Sequence, residues 1–217
     1  MSKKAPKHKE TQIILYEHKT KEQSLALHVY PPEVPFFLWD TAYAQDETKG
    51  ILALDASLTA TGWAYGPEEN DTTFPLVFSD MDNSLDGQRR INWIVSNLIS
   101  MLKHYKPAKV CYEGYAYGAS TAAYSLGELG GIIRMLLREY VRSNPHVVLF
   151  EYTPGEIKKF VTGKGNGAKE LLLMFVLKKF KIACENNNQA DAVGLYYLMK
   201  SGTVPSEKKK KKRKKKE

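Results

Sequence analysis

Two short apolar runs that each end in an acidic residue constrain this 217-residue chain more than any other feature. Residues 51–54 are followed at once by Asp55, and residues 110–112 are followed by Glu113. Short continuous apolar runs predict strands that are buried on both faces of a sheet. A charge directly after such a strand needs a partner or a metal ion, because burying it alone is costly. If the two strands are neighbours, their carboxylates converge.

The pattern of apolar residues predicts an α/β fold, in which a mixed five-stranded sheet is flanked by helices on both faces. Three strands follow each other closely, as in a meander, and strands then alternate with helices. The predicted strands are residues 51–54, 62–65, 76–79, 109–112 and 147–152. The predicted helices are residues 89–105, 121–142, 154–161, 168–180 and 189–200, with Trp63 and Trp93 in the core.

The folded unit is expected to span residues 49–202, with an appendage of unknown role at residues 1–48 and a tail at 203–217. The net charge of +8 is concentrated in nine consecutive basic residues, 208–216. The remaining 23 Lys and Arg are balanced by the 24 Asp and Glu of the whole chain. Such a block of like charge repels itself and predicts a disordered tail. Phosphate binding is one use for it. A solubilising or nuclear-import tail is the alternative.

The composition also bears on where the protein works. The basic N-terminus has no apolar segment behind it, so neither a signal peptide nor a membrane span is predicted. Cys111 and Cys184 have no second cysteine at metal-ligand spacing, which argues against a zinc site or a disulfide framework. We therefore expect a cytoplasmic protein, or a nuclear one if the lysine tail is an import signal.

Asp191 is a third isolated acid, in the first turn of a helix predicted to begin near Gln189. Each acid has a structural alternative: Asn188 and Asp191 resemble a helix cap with an acid that complements the dipole. Asp55 could satisfy turn amides, or belong to the phosphate loop of actin-like sugar-kinase ATPases, a fold that normally needs two such domains. Together the three carboxylates suit Mg²⁺. Two such ions support in-line phosphodiester hydrolysis, so the set predicts a metal-dependent nuclease.

Glycines and lysines surround the start of the predicted helix 168–180 and indicate a phosphate-binding loop. A Walker A motif is excluded, because Ala168 and Glu170 stand where Gly and Ser or Thr are required. Solvated lysines beside a C-capping Gly163 are the alternative. The predicted phosphate contacts are Lys158 and Lys169, supported by Lys159 and Lys164.

Tyr115 and Tyr117 lie just beyond Glu113 and are candidates for stacking on unpaired bases. Packing against the helix that follows is an equally good use for one of them. These two tyrosines complete the set of candidate DNA-binding residues.

In this order, the motifs resemble those of the RuvC-type Holliday junction resolvases of the RNase H-like superfamily, over about residues 50–200. Asp55 with Thr61-Gly62 is similar to the opening motif of that family. Glu113 with the helix containing residues 125–131 is similar to the second motif, and residues 189–192 are similar to the closing one. Lys158 and Lys169, eleven positions apart around a Gly-x-Gly loop, resemble its paired DNA-contacting lysines.

The resemblance implies a homodimeric, Mg²⁺-dependent endonuclease that nicks opposed strands of four-way DNA junctions, with Mn²⁺ able to substitute. Its implied metal ligands are Asp55, Glu113 and Asp191, assisted by Asn188. Two symmetric cuts fit a C₂ dimer on a two-fold junction. Small residues that permit a close helix contact, or pack against the sheet, are Gly127, Gly130 and Gly131. Within that family, the chain resembles divergent resolvases of phages or other viruses.

Two departures from the family pattern leave alternatives open. Asn188 stands where the family has Asp or His three residues before the last acid, and Glu185 is a candidate substitute. Ala116 stands where the family has a junction-wedging aromatic, a role that would pass to Tyr115 or Tyr117. The alternatives are a less selective nuclease for branched DNA in replication or packaging, and a non-catalytic nucleic-acid binding module.

Overall fold

One mixed sheet organises the computed structural model, which describes residues 48–68, 74–80, 85–114, 123–165 and 169–206. The strands are β1 (Ile51–Asp55), β2 (Thr61–Gly66), β3 (Leu76–Asp80), β4 (Lys109–Glu113) and β5 (Val148–Tyr152). The helices are α1 (Gly87–Tyr105), α2 (Ala123–Ser143), α3 (Pro154–Thr162), α4 (Lys169–Phe180) and α5 (Asn187–Lys200).

The strand order is β3-β2-β1-β4-β5. β1 pairs antiparallel with β2, and β2 pairs antiparallel with β3, as a meander requires. β1 pairs parallel with β4, and β4 pairs parallel with β5, with helices in the connections. The predicted mixed five-stranded sheet is therefore confirmed, and the carboxyl ends of β1, β4 and β5 lie at one edge.

Each face of the sheet has its own apolar core. Alternate residues of a strand point to opposite faces, so Leu52 and Leu54 pack with α1 and α2. Ile51 and Ala53 pack on the other face, with residues of α3, α4 and α5. All four side chains are fully buried, which explains why β1 is continuously apolar rather than alternating. Trp63 is fully buried and Trp93 packs at the margin of the α1 and α2 side, as predicted.

The start of α5 corrects the sequence prediction. The helix begins at Asn187 rather than near Gln189, and its N-cap is Asn186, not Asn188. The Asn186 side chain accepts a hydrogen bond from the backbone N–H of Gln189 at 2.9 Å. Three consecutive asparagines offer the same capping group, and the first of them takes the role, so the next two join the helix.

The segment after α5 returns to the start of α3. The Tyr152 hydroxyl donates to the backbone oxygen of Thr203 at 2.5 Å. The backbone N–H and the hydroxyl of Ser206 both donate to Glu156 Oε1, at 2.7 and 2.6 Å. Burial by itself would raise the pKa of Glu156, but hydrogen bonds from Ser206 and Thr153 outweigh it and lower the pKa to about 2. The residues that lead into the basic tail are thus attached to α3 through Ser206.

Several sequence predictions fall outside the described residues. These are residues 1–47 of the predicted appendage, the tyrosines at 115 and 117, and the basic run at 208–216. None of the helices that the structure describes is both long and apolar enough to span a membrane.

Candidate active site

The pairing of β1 with β4 brings the two strand-end acids together. Leu54 is the partner of Tyr112, so the next residues, Asp55 and Glu113, end neighbouring strands at the same level. Alternation places both on the face that carries Ala53 and Cys111, which is the face that α5 covers. Both acids are half-buried. The sequence prediction that these carboxylates converge is therefore met by the strand register.

Asp191 joins this pair from α5. One carboxylate oxygen from each of Asp55, Glu113 and Asp191 can be chosen so that all lie within 4.8 Å of one another. The acids line a pocket of about 300 Å³ together with Lys158 of α3. Three carboxylates at this spacing repel each other, and a divalent cation among them would offset that repulsion. The donor set is all oxygen, as hard cations such as Mg²⁺ require.

A close approach between α5 and β2 sets the position of Asp191. A Cβ atom on Gly62 would lie 1.9 Å from the backbone oxygen of Asn188, so the helix can come this near only because residue 62 has no side chain. The Asn188 side-chain amide donates a hydrogen bond to the backbone oxygen of Ala60. The first turn of α5 is thereby held against the start of β2.

Polar contacts to β3 hold the same turn from the other side. The Ser79 hydroxyl lies 2.9 Å from Asn186 Nδ2 and 3.1 Å from Gln189 Nε2, and both amides donate to it. Gln189 is only 3% exposed, and its Oε1 accepts from the backbone N–H of Glu185. A buried glutamine needs all of these bonds, because an unsatisfied amide is costly. Ser79 and Gln189 position the acid, a role that their sequence context did not reveal.

Behind Glu113, an ion pair fixes the end of β4. Arg134 of α2 donates two hydrogen bonds to Glu151, at 3.2 and 3.1 Å, and the Tyr112 hydroxyl donates a third at 2.9 Å. Burial, and then the bond to Glu151, raise the pKa of Tyr112 to about 12, so the phenol stays a donor at neutral pH. The two strands next to the site are thus tied to α2 on the opposite face.

The four lysines predicted to contact phosphate differ in their positions relative to the pocket. Lys158 is half-buried and lines the pocket. Lys159 and Lys164 are exposed, while Lys169 begins α4 with its side chain outside the described part. Gly163 has a positive φ of 79° and caps α3, its N–H donating to the backbone oxygen of Lys159. The glycine-capping alternative is correct for this residue.

The structure also shows where three candidates for a fourth metal ligand lie relative to the pocket. Asn188 lines the pocket, with its amide nitrogen bound to Ala60. Glu185 is exposed, precedes the helix cap and is not among the residues that line the pocket. Asn187, which the sequence analysis did not single out, lines the pocket too, and its Oδ1 is buried without a hydrogen-bond partner in the described chain.

Replacing Gly62 with alanine tests the close approach. We expect Gly62→Ala to lower the free energy of unfolding by about 1–3 kcal/mol, because Asn188 and the first turn of α5 must move. The shift of Asp191 should also weaken Mn²⁺ binding, measured by isothermal titration calorimetry. Gly155→Ala is the matched control, since no atom lies within 4 Å of its added Cβ. Equal stability and Mn²⁺ affinity for Gly62→Ala and the parent would contradict this account.

Comparison with known proteins agrees with this geometry. The model of the family described as crossover junction endodeoxyribonuclease RuvC matches residues 51–196. RuvC of Chloroherpeton thalassium is 31% identical over 128 residues, which are 57% of this chain and 66% of that protein. RuvC of Rickettsia bellii strain RML369-C is 28% identical over 152 residues, 68% of this chain and 94% of the relative.

A solved structure shares the fold. Thermus thermophilus RuvC in complex with Holliday junction substrate superposes with a TM-score of 0.53 at 20% identity, covering 72% of this chain and 98% of that one. The RNase H-like fold predicted from the resemblance is confirmed. The family match spans β1 through most of α5 and so contains all three acids. The chain belongs to the RuvC family of crossover junction endodeoxyribonucleases.

Proposed function

We propose that this member of the RuvC family is a Mg²⁺-dependent enzyme that resolves four-way DNA junctions by paired nicks in opposed strands. The observation that carries the proposal is the pocket in which three carboxylates lie within 4.8 Å of one another beside a lysine. Metal-dependent phosphodiester hydrolysis uses acids that can hold cations, and a cationic side chain can bind the phosphate. One cavity contains both kinds of residue, which supports the proposal.

Asp55, Glu113 and Asp191 would hold the metal, because they supply the converging oxygens. Bound Mg²⁺ supplies activation of a water and stabilisation of the leaving oxygen. In the reaction the water oxygen forms a bond to phosphorus, the bond from phosphorus to the leaving oxygen breaks, and that oxygen gains a proton. By holding the cation, the half-buried carboxylates would set where the scissile phosphate binds.

Lys158 would contact the phosphate next to the acids, since its side chain lines the same pocket. It follows Ile157, which is fully buried against α5, so α3 holds the lysine at a defined distance from Asp191. Lys159 and Lys164, both exposed, would contact the DNA backbone outside the pocket. The contributions of Lys169 to phosphate binding and of Tyr115 and Tyr117 to base stacking remain predictions.

A homodimer would present two such pockets, and the outer face of α2 is suited to form it. Gly127 and Gly131 are exposed one turn apart, and no atom lies within 4 Å of a Cβ added at either. Tyr124 is 91% exposed and Met135 is 43% exposed on the same face, whereas Gly130 is buried. Small residues between exposed apolar side chains allow two copies of α2 to pack closely about a two-fold axis.

The basic run at residues 208–216 would bind DNA flanking the junction. Its base is attached at Ser206 to Glu156, in the first turn of α3, whose Pro154 and Lys158 line the pocket. From Ser206 to Lys216 an extended chain reaches roughly 35 Å, enough to follow the backbone well beyond the cleaved phosphate. A solubilising or nuclear-import function is the competing interpretation of the same residues.

Cleavage of a labelled four-way junction in Mg²⁺, beside linear duplex and a Y-fork, tests the activity. We expect paired symmetric nicks in the junction, and we expect Asp55→Asn to abolish cutting while junction binding persists, because one converging carboxylate is lost. Asp86→Asn, at an exposed aspartate that pairs with Arg89, is the control and should cut normally. Equal cutting of all three substrates would indicate a less selective nuclease. Binding without cutting would indicate a non-catalytic module.

Sedimentation of a Gly131→Glu variant tests the dimer. A carboxylate on the outer face of α2 should place two negative charges at the two-fold axis and shift the protein to monomers. The junction should then receive single rather than paired nicks. Gln88→Glu, an equal charge change at an exposed position of α1, should leave the dimer intact. A dimeric Gly131→Glu protein would exclude this interface.

The salt dependence of junction binding tests the tail. Each phosphate contact contributes about 0.9 to the slope of log affinity against log salt concentration. Removing residues 207–217 takes away nine basic residues, so the magnitude of the slope should fall by up to about eight. Circular dichroism and cutting at low salt check that the domain is unaffected. An unchanged slope would favour the solubilising or import interpretation.

A further inference from the structure

We infer that Asn187, through Oδ1, is a fourth oxygen ligand of the metal held by Asp55, Glu113 and Asp191. This inference rests on the proposed function and adds a residue to the same site. It also differs from the sequence analysis, which assigned the assisting role to Asn188. The assignment depends on three observations: the position of Asn187 on α5, the burial of its amide oxygen without a hydrogen-bond partner in the described part of the chain, and the contacts that Asn188 makes.

The position follows from helix geometry. Asn187 is the first residue of α5 and lies four residues before Asp191, and side chains at this spacing share one face of a helix. Both residues line the pocket that contains the two strand-end acids. The face of α5 that presents Asp191 to the site therefore presents Asn187 as well.

The Asn187 amide oxygen is shielded from solvent and has no hydrogen-bond partner among the described residues. Burying a carbonyl oxygen without a partner is unfavourable, so a site of this kind calls for a donor or a cation. A carboxylate accepts hydrogen bonds and cannot donate one to this oxygen. A hard cation held by those acids would satisfy the oxygen, because Mg²⁺ and Mn²⁺ take amide oxygens along with carboxylates.

Within the described chain, Asn188 has structural contacts that Asn187 lacks. Its amide nitrogen donates to the backbone oxygen of Ala60, and its own backbone oxygen lies against Gly62. Both contacts tie the first turn of α5 to the start of β2. These contacts make Asn188 a positioning residue for Asp191, whereas the buried amide oxygen without a hydrogen-bond partner among the described residues belongs to Asn187.

Lys158 is the competing partner for the buried oxygen, since it lines the same pocket and its ammonium can donate. The two partners predict different effects. A ligand to the cation affects metal affinity in the absence of DNA. A partner of Lys158 would orient that lysine and affect DNA binding while leaving metal affinity unchanged.

Mn²⁺ binding to the full chain without DNA, followed by the electron paramagnetic resonance signal of free Mn²⁺, is the deciding experiment. Asn187→Ala should weaken binding about tenfold or more, in the range typical for losing a group that supports a metal. Asn187→Asp should bind at least as tightly as the parent, because a carboxylate replaces the amide oxygen. Asn188→Ala should lower the melting temperature and weaken Mn²⁺ binding less than Asn187→Ala does. Asn92→Ala, at an exposed position of α1, should match the parent.

The outcomes separate this inference from the proposed function. If Asp55→Asn loses Mn²⁺ but Asn187→Ala binds like the parent, the metal site stands and Asn187 is not a ligand. If Asn188→Ala is the weaker binder of the two, the sequence-based assignment is right and ours is wrong. If Asp55→Asn binds Mn²⁺ normally, both the metal site and the role of Asn187 fail. Weaker DNA binding by Asn187→Ala at unchanged Mn²⁺ affinity would assign the residue to Lys158.

Discussion

The parallel pairing of β1 with β4 is the interaction on which the rest of the site depends. Its register puts Leu54 opposite Tyr112, and the following residue of each strand is an acid. A shift of one residue would send one carboxylate to the opposite face, into the apolar core that α1 and α2 cover. The register is secure because each face has its own close-packed core, so a slip by one residue would exchange side chains of different size between the two cores.

The third acid depends on a different kind of contact. α5 packs on the sheet through an apolar surface, but apolar contact alone does not fix how far a helix slides along its axis. Its first turn is fixed by directional bonds to Ser79 on β3 and to Ala60 before β2. The sheet supplies two acids by register, while hydrogen bonds and the bare backbone of Gly62 set the third.

The sequence sufficed for the features with a local cause. Apolar runs identified all five strands, and isolated acids after two of them identified the cluster, because burial of a charge is unfavourable wherever the chain folds. The start of α5 could not be read in this way. Asn186, Asn187 and Asn188 are equivalent as caps, and the choice among them involves a bond from Asn186 to Ser79, 107 positions away. The separate environments of Asn187 and Asn188 follow from that choice.

The contact between α3 and α5 has a consequence for how this enzyme can change over evolution. A side chain at Gly194 would lie 2.9 Å from Ile157 and 3.0 Å from Val161, so the helices touch through backbone on one side. Lys158 follows Ile157 on one helix, and Asp191 lies one turn before Gly194 on the other. The positions of the Lys158 charge and of the Asp191 carboxylate are therefore both coupled to a core contact. A substitution that widened the active site for a bulkier substrate would also loosen the hydrophobic core, so new specificity would require compensating stability elsewhere in the domain.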